Sequence, residues 1–212
     1  MRRLPVYLVL DVSGSMHGEP IEAVRTGMQT LLGTLRSDPY ALETACLSVI
    51  VFDDTARQVV PLTELTAFQP PSIEAGTTTA LGAALELTAT CIGREVRRST
   101  AETKGDWKPL VFLMTDGRPT DDLAKGRAAI KKAGVGMIIA CAAGHGADTD
   151  ELKKITECVV ALDTADSSTI GAFFKWVSAS ISTTSKKVDL TKSDSTKLHE
   201  LPPPPPEINV VA

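Results

Sequence analysis

Five short apolar runs constrain this chain more than any other feature. They are Val6-Tyr7-Leu8-Val9-Leu10, Cys46-Leu47-Ser48-Val49-Ile50-Val51-Phe52, Leu110-Val111-Phe112-Leu113-Met114, Met137 to Ala142 and Cys158-Val159-Val160-Ala161-Leu162. Strands this continuously apolar need cover on both faces, which is the situation in the middle of a parallel sheet. Between them, apolar residues recur at helical spacing: Ile21, Val24, Met28, Leu31, Leu32 and Leu35 behind Pro20, then Leu81, Ala84, Leu85, Thr88 and Ile92, and finally Ile170, Phe173, Phe174, Val177 and Ile181. The first helix is predicted to end near Asp38-Pro39. Thr120-Asp121-Asp122 is predicted to cap a helix running to about Lys132, and Asp148 to Ile155 to form a short one. Gln58 to Leu62 reads as an antiparallel edge strand, where Pro61 is tolerated. The order βαββαβαβαβα predicts an α/β fold, a Rossmann-like doubly wound open sheet of six strands, mostly parallel with one antiparallel edge strand and helices on both faces.

At 212 residues, 43% of them apolar and 23% charged, the chain has the size and composition of one globular α/β domain, not of a multidomain enzyme. The predicted domain covers residues 1–182. From Thr183 the composition turns to Ser, Thr, Lys and Asp and then to Pro202 through Pro206, so 183–212 is predicted to be a linker and Pro-rich tail. The five prolines favour an extended polyproline II segment, a spacer or a docking element, and Ile208-Asn209-Val210-Val211 has the character of a strand that adds to an exposed sheet edge. A net charge of −4 argues against nucleic acid as a partner. Cys46, Cys91, Cys141 and Cys158 share no CxxC spacing and sit in apolar runs, so they are predicted to be buried reduced thiols. The run after Met1-Arg2-Arg3 is too short for a signal peptide and no run is long enough for a membrane span, so a cytoplasmic protein without membrane contact is expected.

Three loops then carry small oxygen-bearing side chains: Asp11-Val12-Ser13-Gly14-Ser15, Gly76-Thr77-Thr78-Thr79 and Thr115-Asp116-Gly117. In a doubly wound sheet, the first strand and the first strand of the second half lie side by side, and ligands bind beyond their carboxyl ends. Those ends are Asp11 and Asp116. Two carboxylates and three hydroxyls without His or thiolate make a hard-oxygen site, suited to Mg²⁺ or Mn²⁺, with Ca²⁺ as a further substitute, and poorly to zinc. Gly14 allows the tight bend that puts Asp11, Ser13 and Ser15 on one side of the loop.

At these residues the chain resembles the von Willebrand factor A domains, whose metal-ion-dependent adhesion site combines an Asp-x-Ser-x-Ser loop, a distant Thr and a distant Asp. Asp11, Ser13 and Ser15 match the first element, Thr77 the second, with Thr78 as the alternative, and Asp116 the third. The resemblance covers about residues 4–182. It implies that Ser13, Ser15 and, in one state, Thr77 bind the metal directly, while Asp11 and Asp116 act largely through coordinated water. It also implies a protein partner whose Asp or Glu carboxylate completes the metal's coordination, meeting the loops around Gly14, Met16, His17, Thr78 and Gly117. The segments VYLVLDVSGSM, VIVFDD, GTTTALGAAL and FLMTDGRPTDD are most similar to the bacterial TerY-type proteins of tellurite-resistance and stress clusters. That similarity implies a kinase or phosphatase partner in phosphorylation signalling.

The remaining polar residues have plainer roles. Asp53 and Asp54 read as a solvated hairpin turn, Asp121 and Asp122 as capping residues, His17 as a solvated loop residue and His145 as part of a turn. The alternative function is a metal-dependent phosphatase or other hydrolase using the same loops. Against it, a haloacid-dehalogenase-type enzyme needs a second Asp where Ser13 stands, Ser13 and Ser15 are not in a G-x-S-x-G elbow, and neither a P-loop nor a G-x-G-x-x-G is present. The expected protein is a non-enzymatic, metal-gated binding module.

Overall fold

The apolar runs form strands because each is long enough to cross a sheet and has no polar face to present to water. In the computed structural model, which describes residues 2–188 and 194–211, they are β1 (Leu4–Asp11), β2 (Ala45–Phe52), β4 (Leu110–Thr115), β5 (Met137–Ala143) and β6 (Cys158–Leu162). Every residue of β1, β2 and β4 is buried. β3 (Ala56–Glu64) instead alternates between half-buried and exposed residues, the signature of an edge. The helices are α1 (Glu19–Arg36), α2 (Pro39–Thr44), α3 (Leu81–Glu95), α4 (Leu123–Lys132), α5 (Thr149–Lys153) and α6 (Ser167–Ser185).

The sheet runs β3-β2-β1-β4-β5-β6-β7, where β7 is Asn209–Val211. The five central strands are parallel, and β3 and β7 are antiparallel at the two edges. β1 lies between β2 and β4, with Leu10 opposite both Val51 and Met114. Alternate residues of β1 feed two cores: Val6, Leu8 and Leu10 pack with α1 and α6, while Tyr7 and Val9 pack with α3 and α4. α1 and α6 approach so closely at Gly27 that a Cβ there would lie 2.3 Å from the Phe174 ring.

Four features depart from the sequence reading. The sheet has seven strands rather than six, because β6 ends the parallel half with an open edge and Asn209, Val210 and Val211 pair with it, Val210 opposite Val160. Segment 183–212 is also not a free linker throughout. α6 continues to Ser185, Val188, Thr196, Leu201 and Ile208 are buried, and the indole N–H of Trp176 donates to the Pro202 carbonyl at 2.8 Å. An extended Pro-rich chain with an occasional apolar residue needs no core of its own when it can lie along α6 and β6. Residues 189–193 of that segment lie outside the described residues. The short helix α2 was not anticipated; Asp38 caps it, accepting from the backbone N–H groups of Tyr40 and Ala41.

The last departure concerns capping. Asp122 caps α4 as expected, accepting from the Ala124 N–H at 2.8 Å. Asp121, however, serves a different helix: its two oxygens accept from the N–H groups of Gly82 and Ala83, both at 2.8 Å, at the start of α3. α3 has no side-chain cap of its own, so orphan donors of its first turn are satisfied across space. All four cysteines are free and buried.

Candidate metal centre

β1 ends in a carboxylate that has almost no contact with water. Asp11 is fully buried; its Oδ1 accepts the Ser13 N–H at 2.8 Å and its Oδ2 accepts the Thr115 hydroxyl at 2.5 Å. These bonds hold it rigidly and favour the ionised form, but burial dominates and, with a smaller contribution from the Asp116 charge, pushes its pKa up to about 6. Asp116 follows the end of β4 and is 9% exposed; it too is pushed up by burial, partly offset by the Ser15 hydroxyl that donates to its Oδ1 at 2.8 Å. Ser13 Oγ and Ser15 Oγ are 3.2 Å apart. Residues about a hundred positions apart in sequence are thus brought together at the carboxyl ends of β1 and β4, Asp11 with Thr115 and Ser15 with Asp116, the two pairs linked through Ser13.

A short 3-10 turn over Gly14–Met16 brings Ser15 back beside Ser13. Met16 is fully buried in the core beneath that turn, so it anchors the loop and is not available to a partner; His17 and Thr78 are exposed and Gly14 and Gly117 half-exposed. Two backbone bonds stitch this loop to the threonine loop: Gly14 N–H to Thr77 O at 2.9 Å, and Gly76 N–H to Val12 O at 2.5 Å. A Cβ on Gly14 would stand 3.2 Å from the Thr77 carbonyl oxygen, a tight contact that the glycine avoids; its φ is not positive, so it is this close approach and not a left-handed bend that it serves. Thr77 itself is held by its backbone; its side chain is exposed, and among the described residues no hydrogen bond to its hydroxyl is formed. Thr78 is exposed as well. Thr79 is buried, and its carbonyl accepts from Thr120 N–H at 2.9 Å.

Sequence reasoning placed Asp53 in a solvated turn, and the structure does not. It is 5% exposed, its carbonyl accepts from Ala80 N–H at 2.7 Å, and Arg57 binds its Oδ2 at 2.9 Å. Burial alone would raise its pKa, but the Thr55 N–H and the Arg57 guanidinium outweigh that and hold it below the ordinary carboxylate value. It lies directly under Gly76, where any Cβ would come within 2.3 Å of Asp53 Oδ2. The Asp53-x-x-x-Arg57 spacing across a hairpin was the available signal for a held rather than a solvated acid.

Asp53 has its arginine; Asp11 and Asp116 have none. Among the described residues, no Lys, Arg or His forms an ion pair with either of them. Two neighbouring buried carboxylates without a counter-charge are unfavourable at neutral pH, and a divalent cation is the natural complement. The donors are all oxygen, which suits a hard cation, and no cluster of three or more His, Cys, Asp or Glu occurs among the described residues to offer a different kind of cage.

That arrangement agrees with the outcome of comparison with known proteins. The model of the von Willebrand factor type A domain family matches residues 6–175. The chain belongs to this family. An uncharacterised protein of Synechocystis is 34% identical over 125 residues, 55% of this chain and 26% of that protein. This von Willebrand factor A domain therefore spans about a quarter of the length of that curated relative. Among solved structures, a von Willebrand factor type A protein from Catenulispora acidiphila has a TM-score of 0.62 at 19% identity, covering 86% of this chain and 43% of that one. The pilus adhesin SpaC of Lactobacillus rhamnosus GG has a TM-score of 0.66 at 16% identity, covering 87% and 31%. Proximal thread matrix protein 1 of the mussel byssus, solved with zinc in its MIDAS motif, has a TM-score of 0.60 at 20% identity, covering 84% and 48%. At these identities the solved structures establish the fold. Among the described residues, no helix is long and apolar enough to cross a membrane.

Proposed function

We propose that this domain is a divalent-cation-dependent protein-binding module whose metal centre is formed by Asp11, Ser13, Ser15, Thr77 and Asp116. The observation that carries the reading is the pair of buried carboxylates without a cationic partner, Asp116 bonded to the Ser15 hydroxyl, which meets that of Ser13, and Asp11 bonded to the Ser13 backbone N–H. Mg²⁺ is the expected ion, with Mn²⁺ and Ca²⁺ as substitutes. Asp11 orients the serine loop through Ser13 N–H, Asp116 holds Ser15, and the exposed Thr77 stands on a loop fastened to the same turn. When bound, the cation supplies an electrophilic corner that accepts a carboxylate from a partner's Asp or Glu. His17, Thr78 and Gly117 are the neighbouring positions open to that partner. Met16 drops out of this set.

The function contains no chemistry of its own. A hydrolase built on these loops would use a hydroxyl with a base beside it; Ser13 Oγ meets only Ser15 Oγ, and the carboxylate that Ser15 meets, Asp116, is in this reading committed to the cation. The motif similarity to TerY-type proteins supports a cytoplasmic setting in tellurite resistance or stress signalling, with a kinase or phosphatase as the carboxylate-bearing partner. Calorimetric titration with Mg²⁺, Mn²⁺, Ca²⁺ and Zn²⁺ tests the centre: wild type binds, and Ser13→Ala and Asp11→Ala lose most of the affinity. Equal binding by wild type and Asp11→Ala removes Asp11 from the site. Binding to a purified candidate kinase or phosphatase, with and without EDTA, tests the partner; binding that EDTA leaves intact counts against the metal bridge.

A further inference from the structure

The opposite end of the sheet holds a second polar feature that the metal centre does not use. A cavity of about 360 Å³ opens between the end of α3, the loop leading into β4 and the end of α4. That volume lies within the usual range for small-molecule sites. One side is apolar, formed by Ile92, Val96, Trp107 and Pro109; the rest carries Arg97, Arg98, Lys108 and Lys132. The two carboxylates in its lining are already engaged, Asp106 with Arg3 at 2.6 Å and Asp194 with Arg2 at 2.7 Å. Arg97, Arg98, Lys108 and Lys132 form no ion pair among the described residues, on a chain whose net charge is −4.

Two further donors in this region lack an acceptor. Arg2 stacks on Trp107, its guanidinium carbon 5.3 Å from the ring centroid, and both Arg2 Nη1 and Trp107 Nε1 are buried without a hydrogen-bond partner among the described residues. Lys132 also complements the carbonyl end of α4, but Arg97, Arg98 and Lys108 belong to no helix and have no such role. The four cations are exposed, so solvent screens much of their mutual repulsion, but a multiply charged anion seated among them would meet all four at once, and arginine's planar fork matches phosphate oxygens in particular.

We propose that this cavity binds a small anion carrying more than one phosphate, at the end of the sheet opposite the metal centre. The proposal is independent of the metal reading. Its test is calorimetric titration of the full chain with tripolyphosphate and with ATP, at fixed ionic strength in EDTA so that the metal centre contributes nothing. Both are expected to bind wild type, and the Arg98→Glu/Lys108→Glu double variant is expected to weaken both by about tenfold or more, since each reversal replaces an attraction with a repulsion. Lys175→Glu, a reversal of an exposed charge on α6, is expected to change affinity by less than about twofold because solvent and salt screen it. ATP binding tighter than tripolyphosphate identifies an organic phosphate whose base uses the apolar wall; equal affinities identify inorganic polyphosphate. If the double variant melts early, Lys132→Gln replaces it, with a loss of several-fold expected. No binding of either anion at millimolar concentration, or equal weakening by Lys175→Glu, overturns the proposal.

Discussion

Asp11 shows how one side chain ties stability against function. Its carboxyl is fully buried, and its pKa is pushed from the ordinary carboxylate range up to about 6. A folded-state pKa above the unfolded one means that the native state holds the proton more strongly. The favourable contribution is complete below about pH 4 and is lost as pH rises through about 6, so metal-free protein at neutral pH carries a penalty on the order of 1–3 kcal/mol. Asp11→Asn keeps an oxygen for the Ser13 N–H and removes the charge, but its amide nitrogen cannot accept from the Thr115 hydroxyl. The lost bond offsets part of the relieved burial at every pH, so urea unfolding in EDTA is expected to show the variant gaining on wild type by about 1–3 kcal/mol between pH 4.5 and pH 7.5. A stability difference that is the same at the two pH values would refute the burial argument. Metal binding reads the same ionisation from the other side, since a cation competes with the proton: wild-type Mg²⁺ affinity is expected to decline as pH falls through about 6, in calorimetry at a series of pH values. Affinity that is flat between pH 5 and 7.5 would separate Asp11 from the centre.

At the scale of elements, the threonine loop and the C-terminal strap are held by contacts that local sequence does not announce. Gly76→Ala is the sharp test of the loop. A Cβ there would sit 2.3 Å from Asp53 Oδ2 and 2.7 Å from its Cβ, so the loop must shift away from Asp53, which disturbs the bond from Gly76 N–H to Val12 O in the Asp11 turn. The expected result is a loss of about 1–3 kcal/mol in stability together with weaker Mg²⁺ binding; normal binding would mean that the loop is free of the centre. Removing residues 194–212 tests the strap. It uncovers the β6 edge at Val159, Val160 and Ala161 and takes away the Pro202 acceptor of Trp176, so a lower melting temperature and concentration-dependent association in light scattering are expected. A truncated chain that stays monomeric and equally stable would show the strap to be ornamental. The buried parallel strands, their order and the convergence of Asp11 with Asp116 were legible in the sequence, because unbroken apolar runs and a switch-point topology leave few alternatives. The addition of Asn209–Val211 to an open sheet edge was legible too, but the burial of Asp53, the target of Asp121 and the contact of Trp176 with Pro202 were not. Asp121 and the Pro202 contact depend on partners distant in sequence, the α3 N-terminus and Trp176, and Asp53, though its Arg57 is local, is covered by the distant Gly76 and Ala80; a polar residue in a loop has the same local pattern whether it faces solvent or another element's backbone.

For the whole molecule, the important fact is that the proposed centre belongs to no single stretch of chain. Residues 11–15, 76–79 and 115–117 meet only because β1 and β4 are neighbours and the threonine loop crosses above them. An unfolded chain cannot reproduce that geometry, so a cation held there binds the native state alone and stabilises the entire domain rather than one loop. At a hundredfold excess of Mg²⁺ over its dissociation constant, the gain is about 2.7 kcal/mol. Urea denaturation of wild type should thus show a midpoint that moves up with Mg²⁺ while the slope stays constant, since the surface exposed on unfolding is unchanged. Ser13→Ala and Ser15→Ala, which remove one hydroxyl each, should unfold at nearly the same urea concentration with or without the ion. A midpoint in wild type that ignores Mg²⁺ at concentrations well above the calorimetric dissociation constant would mean that the unfolded chain binds the ion as well as the native one does, and that the centre does not depend on the fold. Hydrogen exchange tests the same point independently. An ion that binds the native state alone is expected to slow exchange in the buried strands β1 and β4 as well as in the three loops, whereas protection confined to the loops would mean that the ion only damps local opening.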